Sequence, residues 1–174
     1  MKRFALLALT LIATPVAADT AHHEQHLPYA GQETRDIKAL SPEQIADLNA
    51  GRGMGLALAA ELNGYPGPRH VLDLAHELQL TAEQQRRTSD LFEAMRAETS
   101  ALGAQVIEAE RTLDRLFAEK QATPDTVAAA TTQAGAIEAK LRAAHLRYHL
   151  AMIDVLTAEQ VAAYNHLRGY ATHH

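Results

Sequence analysis

Two histidines one helical turn apart, His145 and His149, with Met152 three residues on, carry the spacing in this chain best suited to chemistry. Neutral imidazoles at i and i+4 can chelate one divalent ion, and a thioether beside them suits Cu(I). On a wheel of about 100° per residue with Leu141 at zero, His145, His149 and Met152 fall near roughly 40°, 80° and 20°. Leu156, Ile153 and Leu146 extend that arc to roughly 140°, with Arg147 and Asp154 outside it. The histidines are therefore expected on an apolar face and at least partly buried. Two readings stay open. One is a metal site of His145, His149 and Met152 holding Zn or Cu; the other is a hydrogen-bonded helix interface with a core methionine.

Ten histidines in a chain without tryptophan make further groups. His22, His23 and His26 near the N-terminus form a His-containing tract that can hold metal loosely, as an accessory to the late pair. His70, Asp73 and Glu77 share one helix face, which reads as solvated polar surface. An H-x-x-x-H helix invites comparison with zinc proteases, but those need a Glu beside the first His, and Leu146 stands there. The chain has no cysteine and no nucleophile elbow. Gly51, Gly53 and Gly55 follow no strand and miss the phosphate-binding spacing. The chain is thus expected not to be an enzyme and to require no cofactor, with a divalent transition metal as the one candidate ligand.

The elements that must position these residues read as helices throughout, an all-α chain. Met1-Lys2-Arg3, the apolar run Phe4 to Ile12 and the small residues Val16 and Ala18 read as a signal peptide over 1–18, cleaved after Ala18. That leaves about 156 residues, enough for one domain without disulfides, destined for the periplasm. Cleavage takes Lys plus Arg from 16 to 14 against 21 acids, so nucleic acid is not an expected partner. No later stretch is apolar enough to span a membrane. Residues 19–40 show no periodicity and read as a flexible arm. A single helical domain is expected over 41–170, with 171–174 a short tail.

Within that domain one helix start appears three times, as Leu40-Ser41-Pro42-Glu43-Gln44, Leu80-Thr81-Ala82-Glu83-Gln84 and Leu156-Thr157-Ala158-Glu159-Gln160. In each, Ser or Thr can cap the helix while Gln reaches back to the cap N–H. A first helix is expected from about Pro42 to Leu62, interrupted by Gly51, Gly53 and Gly55, with Gly51, Gly55 and Ala59 stacked for close backbone approach, and a second from Arg69 to Gln79. From Ala82 to Lys120, Phe92, Met95, Thr99, Leu102, Val106, Ala109, Leu113 and Leu116 follow a three-four seam. Thr123-Pro124-Asp125 restarts a helix at once, so the two long helices should form an antiparallel hairpin. A last short helix begins at Thr157.

The doubled LTxxQ pattern at residues 80–84 and 156–160, with a long hairpin between and a signal peptide ahead, resembles the Spy/CpxP family of periplasmic proteins, ZraP-like heavy-metal sensors included. The resemblance covers about Leu40 to Tyr170. It implies a hooked or cradle-like homodimer active in envelope stress. It implies either an ATP-independent, chaperone-like binder of unfolded envelope proteins, or a Zn, Cu, Ni or Co binding sensor or buffer that modulates a stress-signalling system through a regulator protein.

Overall fold

The structure, a computed structural model, describes residues 29–170. The expected leader at 1–18, the arm residues 19–28 with His22, His23 and His26, and the tail 171–174 lie outside the described residues. Every regular element among the described residues is helical. A 3-10 turn at Gln32–Thr34 precedes α1 (Pro42–Asn49), α2 (Leu58–Glu61), α3 (Pro68–Asp73), α4 (Ala82–Ala118), α5 (Pro124–Ile153) and α6 (Ala158–Leu167). None of these helices is long and apolar enough to cross a membrane.

Four of the expected helix starts are built as capping boxes. Ser41, Thr81, Thr123 and Thr157 accept from the backbone N–H three residues on, and the residue at that position returns a bond to the cap N–H. At two of these starts the glutamine does more than cap. Gln84 Nε2 donates to Gln160 Oε1 at 2.8 Å and to the Val155 carbonyl at 2.9 Å. Gln160 Nε2 donates back to Gln84 Oε1 and to the Leu78 carbonyl, both at 3.1 Å. The two LTxxQ segments thereby clasp each other, with Leu80 and Leu156 buried beside them. The clasp joins the start of α4 to the end of α5, so the hairpin is antiparallel.

Two apolar clusters fill the fold. One holds Leu48, Val106, Ile107, Ala134, Ile137 and Leu141 along the hairpin. The other holds Val71, Leu78, Leu80, Met152, Val155 and Tyr164 at the clasped end. In the α4 seam Met95, Thr99, Val106 and Ala109 are buried, whereas Phe92, Leu102, Leu113 and Leu116 are half-buried.

Three expectations need correction. The arm does not run loose to Leu40: Ile37 is fully buried in the hairpin cluster and Leu40 packs against it, because two isolated apolar residues suffice to pin a segment without periodicity. The first helix does not persist through its glycines from Pro42 to Leu62. Gly51, Met54 and Gly55 take positive φ (65°, 43° and 79°), which breaks the helical hydrogen bonding into a loop between α1 and α2. Gly51 still serves close approach, since a Cβ there would sit 2.6 Å from Thr99 Oγ1 and 2.8 Å from the Arg96 carbonyl. The helix expected from Arg69 to Gln79 is α-helical only as Pro68–Asp73 and continues as turns. Asp73 bonds to Arg69, not to a shared site with His70 and Glu77.

Candidate functional site

Glu61, the last residue of α2, is a carboxylate only 5 % exposed. It is held there by the turn Asn63-Gly64-Tyr65-Pro66-Gly67-Pro68, in which Gly64 takes φ 84° and Pro68 opens α3. The Gly67 N–H donates to Glu61 Oε2 at 3.2 Å. The hydroxyl of Tyr164, itself fully buried, and that of Tyr170, at 3.0 Å, both donate to Oε1. Arg168 Nε stands 3.5 Å from Oε1. His70 Nδ1 is 3.4 Å from Oε1, near enough for an ion pair but without an aligned hydrogen bond. Burial alone would raise the Glu61 pKa, but His70, Tyr164 and Tyr170 overcome it and hold the group at about 2. The same contact, after burial, pushes the Tyr164 phenol upward, so it stays a donor.

The structure brings one of the two predicted histidines, His149, to this carboxylate. His149 Nδ1 lies 2.7 Å from the Tyr65 carbonyl and 3.6 Å from Glu61 Oε2. A carbonyl only accepts, so Nδ1 carries a proton and Nε2 faces away from it. The ring fits because residue 67 is glycine: a Cβ there would lie 3.0 Å from His149 Nε2. His145 is 2 % exposed, and its Nε2 is buried with no hydrogen-bond partner. Burial first, and the neighbouring His149 second, lower its pKa, so it is neutral near pH 7.

Met152 is placed differently from the metal reading. It is fully buried in the apolar cluster with Val71 and Tyr164, which accounts for its position on the wheel. Among the described residues no group of three or more His, Asp or Glu is arranged to hold a metal ion.

Glu61, His70, His145 and His149 border a cavity of about 700 Å³ between α3, α4, α5 and the Gly51–Gly55 loop. Its apolar lining includes Met54, Leu58, Phe92 and Met95, and four arginines, Arg52, Arg69, Arg96 and Arg168, line it as well. Sequence reading missed Glu61, Tyr164, Tyr170 and Arg168. The one available signal was Tyr164 itself: it falls on the apolar side of a short helix, and a buried phenol must find an acceptor. Nothing local marked Glu61, since its partners come from α3, α5 and α6.

The fold and site together define an all-helical hairpin protein with an arginine-bordered cavity. No family model, curated protein or solved structure matches the chain.

Proposed function

We propose that this chain is a periplasmic envelope-stress protein of the Spy/CpxP kind, a homodimer that binds unfolded proteins without ATP. The observation that supports this reading is an apolar stripe on α5 that is exposed along most of its length, with Leu146 half-buried. Ala136, Ala139, Ala143, Leu146, Leu150 and Ile153 follow three-four spacing along one face; Leu150 is 56 % exposed and Ile153 38 %. The arc that held His145 and His149 on the wheel is therefore wider than the face buried against α4, and Leu146 and Ile153 belong to its outer half. Exposed Lys140, Arg142 and Asp154 flank it. A long apolar strip with a polar rim suits weak contacts with many extended clients, or a second copy of the same helix.

Equimolar protein, without nucleotide, is expected to slow aggregation of a chemically unfolded test protein. Leu150→Glu combined with Ile153→Glu should remove that protection while far-UV circular dichroism stays unchanged. Aggregation traces unaltered at severalfold excess of wild type would eliminate this function.

A second reading, a Zn or Cu binding sensor or buffer that reports to a regulator protein, is favoured by the burial of His145 and of His149, the latter beside Glu61. Under it, metal raises the thermal midpoint, by roughly 2.7 kcal/mol of stability at a hundredfold excess over Kd. The gain fades as pH drops through about 6.5, where imidazoles protonate. His149→Ala abolishes it and His22→Ala leaves it intact. If the double change His145→Ala, His149→Ala destabilises the protein equally with and without metal, the pair is structural and this reading falls.

A further inference from the structure

We propose that the cavity bordered by His145 and the four arginines is a binding site for a small amphipathic organic anion, an apolar body with one acidic head. Charge is the first argument. The whole sequence carries 16 Lys plus Arg against 21 acids, yet this cavity is lined by Arg52, Arg69, Arg96 and Arg168 with Glu61 as its one carboxylate. Glu61 is already engaged by two tyrosines, Arg168 and the Gly67 N–H, so it neither repels an entering anion strongly nor calls for a cation. Arg52, Arg69 and Arg96 each hold a nearby acid, half-buried Asp47 and exposed Asp73 and Glu93 respectively, in pairs weak enough to exchange for a ligand head. Guanidinium groups grip such a head bidentately.

The second argument is the buried orphan nitrogen. A polar atom without a partner costs on the order of 1–3 kcal/mol, and a native chain retains one where something else completes it. His145 Nε2 is such an atom on a side chain that lines the cavity, and its ring is neutral. The third is shape and lining. About 700 Å³ is the size of a small-molecule site rather than of a peptide groove. Met54, Leu58, Phe92 and Met95 offer the apolar body a bed, and Met54, at 42 %, and Leu58, at 54 % exposed, stand where it enters. Four guanidinium groups favour an anion over a cation in this cavity.

The test is calorimetric titration of full-length protein with decanoate, decyl phosphate, decylamine, decanol and inorganic phosphate. Saturable one-to-one binding is expected for decanoate or decyl phosphate, whichever head the arginines prefer, and none for decylamine or inorganic phosphate. Arg96→Glu and His145→Phe should each weaken binding about tenfold, the loss of one partner to a charged or buried group. Leu58→Trp, at an exposed position that tolerates bulk, should block entry without touching the fold. Leu150→Glu should leave binding intact, which separates this site from the α5 stripe whether or not the stripe binds clients. Equal binding of decylamine, full affinity in Leu58→Trp, or binding lost in Leu150→Glu would each overturn the proposal.

Discussion

Glu61→Ala is expected to lower stability by about 3–5 kcal/mol, the cost of leaving buried partners of a removed charge uncompensated. The Tyr164 hydroxyl, fully buried, loses its acceptor, and Arg168, His70 and His149 lose the anion they surround. For a domain of this length the thermal midpoint should fall by about 10 °C or more. Glu61→Gln, which keeps an acceptor oxygen but no charge, should lie between the two. The pH dependence carries the sign of a carboxylate depressed on folding. From 4.5 to about 2, the unfolded chain binds a proton that the folded chain refuses, so stability present above 4.5 is lost as pH falls through about 2. That drop amounts to roughly 3 kcal/mol. A separate limb begins higher. His145 is depressed in the folded state, first by burial and then by His149, so stability starts to fall once pH drops below 6.5. Denaturant melts across this range should show both limbs for wild type and only the upper one for Glu61→Gln. Parallel profiles for the two proteins would show that Glu61 is not the anchor described here.

Gly103→Ala should destabilise the chain while Gly135→Ala, in the partner helix, stabilises it. Both glycines sit inside long helices, where alanine is favoured by about 1 kcal/mol. Gly135 has nothing within 4 Å of the space its Cβ would take. A Cβ at Gly103 would overlap the backbone carbonyl of Leu48, so α1 must lift from α4 to admit it. Overpacking against rigid backbone costs typically 1–3 kcal/mol and occasionally more, and lifting α1 also strips cover from Leu48 and Ile37. The two variants should differ by about 3 kcal/mol, or roughly 10 °C in thermal midpoint. Melting curves that superimpose would remove the close α1–α4 approach from the account of this fold.

The helices and their order were legible in the chain itself. Capping boxes at Ser41, Thr81 and Thr157, the three-four seam of α4 and the tight Thr123-Pro124 restart are local signals, complete within a few residues, and each formed as read. The burial of His145, His149 and Met152 was legible for the same reason, since helical period alone sets which residues share a face. What the period could not say is which half of a wide apolar arc meets a neighbour. Leu150 and Ile153 are as apolar as Leu141 and Ala144, and only the position of α4 decided that the first two stay exposed. Gly103 and Gly135 likewise look alike in sequence, and α1 tells them apart. Glu61 is the extreme case: an acid among Ala59, Ala60 and Leu62 carries no local mark of burial. Its charge is tolerated only because Tyr164, Tyr170, Arg168, His70 and Gly67 converge on it from separate elements. Propensity, capping and period act over one or two turns and are written in the sequence, whereas the desolvation of a charge and its compensation exist only where distant segments meet.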